Sequence, residues 1–342
     1  MNDEFYMSLA LNEAWKYQFL TYPNPAVGCL ILDKNERILS LQAHEKAGTA
    51  HAELNAICKA LKSLNPTLQI PQEPNLAHDF VCKHHANLLK DATAFVSLEP
   101  CNHQGKTPPC ARLFTELHFK KVIISTSDTN KIASGGALFL KQHGIEVKMG
   151  VLEQRGKELL KPFLKWQNGS FKLFKLALSL NGSALGKEVS SLESRTYAHK
   201  IRSKLDLLVI GGQTLRQDRP LLDSRLAGDK APDLCILSHF LDQFKDQERA
   251  LSLEELSVFD TTIPLFSVKE RKIYAKIPKS AKFIMFEGGA SFLQGVKDEM
   301  DAFLIFSNSR FNSLENIRLN LHLKPLFKGF LGEDTYGIYE RA

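Results

Sequence analysis

The 342-residue sequence lacks the features that mark several common classes of protein. Its six cysteines contain no Cys-x-x-Cys pair, and their sparse, irregular spacing does not fit the disulfide framework of a small secreted domain. The N-terminus is acidic and lacks the basic region of a signal peptide, and no stretch approaches ~18 uncharged apolar residues. We therefore expect a cytoplasmic protein with no membrane partner.

Two further absences limit the choice of ligand. There is no Gly-x-Gly-x-x-Gly, so the sequence does not carry the Rossmann fingerprint for dinucleotides. No dense stripe of Lys and Arg with interleaved aromatic residues occurs, and we expect no nucleic-acid partner. The formal net charge of +6 instead suits a small anionic substrate or cofactor.

The composition is that of an ordinary globular protein with about two domains. Hydrophobic residues make up 44% of the chain and charged residues 24%. A charged stretch around residues 150–169 precedes a change in composition, and a domain usually takes about 100–200 residues. We therefore expect a first domain over residues 1–150 and a second over residues 151–342.

Four residues of the first half have the spacing of a catalytic zinc site. His51, Cys101 and Cys110 supply one nitrogen and two sulfur ligands, and three protein ligands leave one zinc position open for water. Glu53 follows the histidine by two residues and is the expected proton carrier, as in zinc nucleobase deaminases. The alternative is a structural zinc, which normally has a fourth protein ligand at short spacing.

The expected secondary structure brings these residues together. Apolar spacing predicts a helix from His51 to Leu64, which places Glu53 near the histidine on the same cleft. A predicted strand from Ala92 to Leu98 ends just before Cys101, where an open sheet usually presents ligands.

Residues 63–90 separate that helix from that strand and allow two interpretations. One is a surface insertion. The other is a second metal site, because the segment contains a group of potential ligands: His78, Cys82, His84 and His85.

Four segments, in order, give the first half a family resemblance. They are Pro23–Gly28, His51–Glu53, Leu98–Cys101 and the loop His103–Cys110. Together they resemble the bifunctional riboflavin-biosynthesis deaminase/reductase family. The resemblance implies a cytidine-deaminase-like domain with three α/β/α layers. It also implies four residues that orient the pyrimidine and its phosphate: Asn24, His44, His103 and Lys106.

The second half is similar to the reductase domain of the same family, which has a dihydrofolate-reductase-like α/β fold and uses NADPH. The run from Gly211 to Arg225 and the Glu287-Gly288-Gly289 segment carry this resemblance. It implies substrate-binding residues, which are Lys175, Arg202, Leu222, Arg225 and Glu287. It implies NADPH-binding residues as well, which are Ala177, Thr214, Asp218, Gly289, Ala290, Ser291 and Gly295.

Three residues depart from the family pattern in the second half. Asn181 replaces the aspartate of a turn, Glu188 stands near the position of a family tryptophan, and Arg219 replaces the second aspartate of a pair. Arg219 is a candidate to reach the 2′-phosphate that distinguishes NADPH from NADH. These changes bear on cofactor preference and reductase efficiency.

The implied activity has two steps. A zinc-dependent hydrolysis deaminates 2,5-diamino-6-ribosylamino-4(3H)-pyrimidinone 5′-phosphate, and NADPH then reduces the ribosyl chain to ribityl. We expect a homo-oligomer. The alternatives are a tRNA or nucleoside deaminase with an unrelated C-terminal domain, and a zinc-stabilised binding module without deaminase chemistry.

Overall fold

The computed structural model describes residues 2–103, 105, 108–128, 135–186, 189–228, 230–252, 254–259 and 271–342. The chain forms two compact units, residues 1–164 and residues 165–342. The division falls inside a helix, whereas the sequence led us to expect it at residue 150, before that helix begins. Among the described residues, no helix is both long and apolar enough to cross a membrane.

The first unit alternates helices with strands. Its helices are α1 (Asp3–Trp15), α2 (Ala52–Leu64), α3 (Pro74–His84), α4 (Cys110–Glu116), α5 (Gly136–Gln142) and α6 (Glu153–Asn168), which runs past the division. Its strands are β1 (Gly28–Leu32), β2 (Ile38–Ala43), β3 (Thr93–Leu98), β4 (Lys121–Thr126) and β5 (Glu146–Met149).

The first unit has three layers around a five-stranded sheet with the order β2-β1-β3-β4-β5. β1 is antiparallel to β2 and to β3, while β3, β4 and β5 are parallel. On one face, Ile31, Val96 and Ile124 pack with α2 and α4 in one buried core. On the other face, the ring of Phe95 lies against Tyr6 of α1. The expected cytidine-deaminase-like α/β/α architecture is therefore confirmed.

Gly28 allows α1 to pack closely on the sheet. A Cβ atom added at this glycine would lie 2.0 Å from the carbonyl oxygen of Ala10 in the middle of α1. The helix can approach the strand this closely only because no side chain intervenes. β1 in turn is fully buried, since it lies under helices on both faces.

Residues 63–90 contain α3, which is not a purely superficial element. Ala77 and Val81 of this helix are buried in the same core as α2 and α4, and α3 packs against both of those helices. The insertion therefore adds a helix to one outer layer of the unit.

The second unit is built on an eight-stranded sheet with the order β12-β13-β11-β6-β10-β7-β8-β9. Its strands are β6 (Phe171–Leu178), β7 (Leu207–Gly211), β8 (Asp233–Leu237), β9 (Ile273–Tyr274), β10 (Phe283–Glu287), β11 (Ala302–Ser307), β12 (Leu323–Leu331) and β13 (Asp334–Arg341). Its helices are α7 (Leu192–Arg202), α8 (Gly212–Asp218) and α9 (Ala290–Val296), with short 3-10 turns at Arg225–Ala227, His239–Phe244, Ser257–Phe259 and Lys297–Glu299.

The central strands of this sheet are parallel, and helices cover both of its faces. Phe174 and Phe286 pack with α9 in one buried core. Their neighbours Lys175 and Glu287 point to the opposite face, because successive side chains of a strand alternate. α7 lies on that face, since Arg202 at its end contacts Glu287. The expected dihydrofolate-reductase-like α/β unit is confirmed in its overall architecture.

Replacing Gly28 by alanine should destabilise the protein. The new Cβ would overlap the α1 backbone, so the helix or the strand must shift, and forced overpacking typically costs about 1–3 kcal/mol. Urea denaturation followed by circular dichroism measures this loss. Gly169→Ala is the control, because the nearest atom to its added Cβ is 3.9 Å away. Equal stability of the two variants would contradict this account of the packing.

Candidate active sites

Three separate elements bring the predicted zinc ligands together. His51 is the N-cap residue of α2, Cys110 is the first residue of α4, and Cys101 follows β3. The His51 Nδ1 atom lies 3.4 Å from the Cys110 Sγ and 3.8 Å from the Cys101 Sγ. All three ligand atoms lie within 4.8 Å of one another, so one ion can contact them all.

The three side chains fit zinc by their chemistry as well as by their spacing. Zinc binds thiolate sulfur and imidazole nitrogen in a tetrahedral arrangement. Hydrogen bonds from Cys110 and from His51 lower the pKa of the Cys101 thiol, which favours the thiolate that zinc binds. In the described part of the chain no fourth His, Cys, Asp or Glu joins the group, which leaves one position for water. An open position is typical of a catalytic zinc.

Glu53 is buried beside these ligands in the first turn of α2. Burial raises the pKa of its carboxyl group to about 7, against an opposing effect of His51. A carboxyl group with a pKa near neutrality can both accept and donate a proton at physiological pH. Glu53 is therefore suited to carry protons.

Asn24 and His44 form a hydrogen-bonded pair next to the ligands. The His44 Nδ1 lies 3.0 Å from the Ala50 carbonyl oxygen, which can only accept, so Nδ1 carries the proton. Burial lowers the pKa of His44 and keeps the ring neutral, and its Nε2 then accepts from the Asn24 amide at 3.2 Å. The His44 ring centre is 5.7 Å from that of His51. Two of the predicted substrate-binding residues thus lie at the zinc site.

The other two predicted residues belong to the loop between the cysteines. His103 is half-buried, and its Nδ1 atom has no hydrogen-bond partner among the described residues. Lys106 lies outside the described residues, so its role stays a prediction.

Glu99 positions the segment that carries Cys101, a function that the motif alone did not reveal. Its carboxylate accepts backbone hydrogen bonds from Asp128, Gly135 and Ala137 at 3.0–3.2 Å. A Cβ atom at Gly136 would lie 1.9 Å from the Pro100 carbonyl oxygen, so the start of α5 packs directly on this segment. Contacts with α5, which begins more than 30 residues after Cys101, therefore hold the segment that carries this ligand.

The insertion does not assemble a second metal site in the described structure. The Cys82 Sγ lies 3.9 Å from the His78 Nδ1, but the described residues contain no other group of three close ligands besides the His51 group. His84 stacks on Phe80, and His85 lies against His118.

A second group of functional side chains lies where the end of β10 pairs with the second half of β6. Lys175 and Glu287 are register partners on these parallel strands. Arg202, the last residue of α7, donates from Nε and Nη2 to the two oxygens of Glu287 at 2.8 and 2.7 Å. The Lys175 Nζ is 3.6 Å from Glu287. Three of the five predicted substrate-binding residues are thus in one cluster.

The charged groups of this cluster pair with one another. Burial alone would raise the pKa of Glu287, but Arg202 and Lys175 together lower it to about 2. The Arg202 guanidinium is directed at Glu287, and its Nη1 donates to the Asp223 carbonyl. Arg225 is exposed, with its Nη1 3.5 Å from an Asp223 carboxylate oxygen, so it is the more accessible cation for a phosphate.

The predicted NADPH-binding residues lie on three neighbouring elements of this unit. Ala177 is on β6, and Thr214 and Asp218 are on α8, which follows β7. The other four lie at the start and in the body of α9, which follows β10: Gly289, Ala290, Ser291 and Gly295. A Cβ atom at Gly289 or Gly295 would meet no atom within 4 Å, so the backbone there is open to a ligand.

Asn181, one of the three residues that depart from the family pattern, donates hydrogen bonds to Asn312 and Asn316. Arg219 ends α8 in a left-handed conformation, and Glu188 lies outside the described residues.

His199 belongs to the second cluster although no sequence pattern singled it out. It lies one turn before Arg202 on α7, and its Nδ1 accepts from the backbone nitrogen of Leu226 at 3.5 Å. Burial, with the nearby Arg202 charge, lowers its pKa to about 4. The residue is therefore neutral in the folded protein at physiological pH.

Comparison with known proteins agrees with both units. The zinc-binding region of the cytidine and deoxycytidylate deaminase family matches residues 1–126. The Aquifex aeolicus riboflavin biosynthesis protein RibD is 31% identical over 84% of this chain and 74% of its own length. The Synechocystis RibD is 33% identical over 74% of this chain, which spans 65% of that protein. A Buchnera aphidicola diaminohydroxyphosphoribosylamino-pyrimidine deaminase is 39% identical over 50% of this chain and 99% of its own length.

Two solved structures share the fold over nearly the whole chain. The Thermotoga maritima diaminohydroxyphosphoribosylaminopyrimidine deaminase/5-amino-6-(5-phosphoribosylamino)uracil reductase has a TM-score of 0.61 at 23% identity and covers 99% of both chains. Acinetobacter baumannii RibD has a TM-score of 0.57 at 22% identity, with the same coverage.

The first unit has the fold and the ligand set of the zinc-binding region of cytidine and deoxycytidylate deaminases. The relatives that extend into the second unit make the assignment more specific. The chain belongs to the RibD family of riboflavin biosynthesis proteins.

Zinc binding should depend on the two cysteines of the site. Cys101→Ser should lose most of the metal, because zinc bound by this ligand set requires thiolates that serine cannot supply at neutral pH. Plasma emission spectrometry of the purified chain measures zinc per protein. Cys58→Ser, which changes a half-buried cysteine of α2 outside the ligand group, should keep the metal. Full occupancy in Cys101→Ser would disprove the ligand assignment.

Acid should destabilise the second unit partly through His199. The folded pKa of about 4 lies below the ordinary value of 6.5, so the folded state binds this proton less readily than the unfolded state. The stability that His199 contributes is present above pH 6.5 and is lost as the pH falls towards 4. Urea denaturation across this range should show a weaker pH dependence in His199→Gln. An unchanged pH dependence would refute the assignment.

Proposed function

We propose that the chain catalyses two successive steps of riboflavin biosynthesis. The first is hydrolytic deamination of 2,5-diamino-6-ribosylamino-4(3H)-pyrimidinone 5′-phosphate, and the second is NADPH-dependent reduction of the ribosyl chain to ribityl. The observation that carries the proposal is the convergence of His51, Cys101 and Cys110 beside the buried Glu53. The names of the Buchnera deaminase and of the Thermotoga deaminase/reductase supply the substrate class. The aligned region spans 65% and 56% of two RibD relatives.

The residues of the first unit suit the deamination. His51, Cys101 and Cys110 would hold zinc, which when bound acts as a Lewis acid that makes a water molecule acidic. Glu53 accepts a proton as the water oxygen bonds to the ring carbon bearing the amine. It delivers this proton to the ring nitrogen. It then takes the remaining proton from the oxygen that came from water and gives it to the departing amine, which leaves as ammonia.

The Asn24–His44 pair suits recognition of the pyrimidine. Because His44 uses Nδ1 as a donor to Ala50, its Nε2 orients the Asn24 amide by accepting from Nδ2. The Asn24 Oδ1 is then left as an acceptor for a substrate N–H group. His103 and Lys106 remain the candidates for the phosphate.

The second unit suits a reduction at the sugar. NADPH supplies a hydride when bound, and the open backbone at Gly289 and Gly295 fits a large cofactor along α9. Lys175 and Arg225 are the cations that would meet the ribosyl phosphate, while Glu287 holds Lys175 and Arg202 in place. The residues present therefore fit the cofactor and an anionic substrate.

The setting that we propose for the chain is the cytoplasm, as a homo-oligomer without nucleic acid. All six cysteines are unpaired, and the two ligand cysteines must be thiolates to bind zinc. Light scattering after size exclusion tests the oligomeric state.

A coupled assay with this diaminopyrimidine tests the function, with ammonia release and NADPH oxidation followed separately. Both signals are expected from the wild-type chain. Glu53→Gln should keep its zinc and lose ammonia release by about 10²–10⁴-fold, the usual contribution of a positioned acid–base group.

Glu4→Gln is the control, since it changes an exposed carboxylate of α1. Rapid ammonia release by Glu53→Gln would overturn the role of Glu53. Ammonia release without NADPH oxidation by the wild type would leave the deaminase and overturn the reductase. That result would favour a deaminase with an unrelated second unit.

A further inference from the structure

Arg271 is a half-buried arginine that holds a loop of the second unit. Its Nε donates to the Pro232 carbonyl at 3.0 Å, and its Nη1 donates to the Leu221 carbonyl at 2.8 Å. Its Nη2 donates to the Leu222 carbonyl. One guanidinium group therefore joins the start of β8 to the loop that follows α8.

The backbone of this loop needs such support. Arg219 has φ +42° and Leu222 has φ +56°, which are left-handed conformations that non-glycine residues rarely adopt. Left-handed residues with a Cβ persist when their surroundings hold them there. The two Arg271 donors on Leu221 and Leu222 act directly on the second of these positions.

A second arginine holds the next carbonyl. The Arg202 Nη1 donates to the Asp223 carbonyl at 3.2 Å, while Glu287 fixes the rest of that guanidinium. Three consecutive carbonyl groups, at residues 221–223, are thus bound by two guanidinium groups. The loop is tied in this way to the cluster that contains Lys175 and Glu287.

The chemistry of Arg271 fits a holding role. Burial lowers the pKa of its guanidinium to about 10, a value that still leaves it charged at neutral pH. The acceptors of the three hydrogen bonds described above are neutral carbonyl oxygens. Lysine would keep the charge but lacks the planar fork that reaches several acceptors in fixed directions.

We propose that Arg271 is a positioning residue of the reductase, which holds residues 221–225 so that Arg225 meets the ribosyl phosphate of the substrate. The proposal rests on the proposed function. If the loop leaves this conformation, the fraction of binding-competent protein falls, and the apparent affinity for the pyrimidine falls by the same factor. The NADPH site on β6, α8 and α9 contains no residue of this segment.

Steady-state kinetics of Arg271→Lys in the full-length chain tests the proposal. The substrate is the deaminated ribosylaminouracil phosphate, and NADPH oxidation is followed. The KM for the pyrimidine should rise about tenfold or more, as expected for the loss of charge-assisted hydrogen bonds, with a smaller change in kcat. NADPH affinity, measured by fluorescence titration, and ammonia release should stay at the wild-type level.

Arg249→Lys is the matched control. Arg249 lies in the same unit but is half exposed and pairs with Glu255, so its replacement should leave the KM unchanged. A parallel loss of pyrimidine affinity, NADPH affinity and ammonia release in Arg271→Lys would mean that Arg271 only stabilises the fold, and would overturn the proposal. An unchanged KM would overturn it as well.

Hydrogen exchange measured by mass spectrometry gives a readout that does not need reductase activity. Peptides covering residues 221–228 should exchange faster in Arg271→Lys, while peptides of β7 and β10 should keep the wild-type rate. If the wild-type chain does not oxidise NADPH, the proposed function fails, and this measurement still tests the holding role. Equal exchange of the loop in both proteins would contradict it.

Discussion

The parallel alignment of neighbouring strands is the constraint on which both sites depend. Parallel strands bring their carboxyl ends to one edge of a sheet, and the segments that leave this edge come close together. In the first unit Cys101 follows β3, which is parallel to β4. In the second unit Glu287, at the end of β10, is the register partner of Lys175 on the parallel strand β6. Residues far apart in the chain thereby become neighbours.

The two sites handle buried charge in opposite ways. At the zinc site, burial raises the pKa of the Glu53 carboxyl group to about 7, although His51 opposes this shift. In the second unit the Glu287 carboxylate is already paired, because Arg202 and Lys175 lie against it. The first arrangement suits a metal ion and proton transfer, and the second suits a fixed scaffold beside a ligand.

The helix after His51 and the strand before Cys101 were predictable, since periodicity and spacing are local properties. The layered α/β architecture followed from the family resemblance. The insertion was harder to interpret, because burial of Ala77 and Val81 depends on α2 and α4. The resemblance also implied that Arg202 binds the substrate. Its partner Glu287 lies 85 residues away, so the ion pair was not evident from either local segment.

The sequence by itself determined the chemistry that is available: one histidine, two cysteines and a glutamate at fixed spacing, and the family that carries them. The tertiary structure decided which of these groups titrate near neutrality and which tautomer His44 adopts. It also decided which carbonyls Arg271 binds and which backbone N–H groups donate to Glu99. The reason is physical. Burial and hydrogen bonding depend on neighbours from distant segments, and no local pattern in the chain records them.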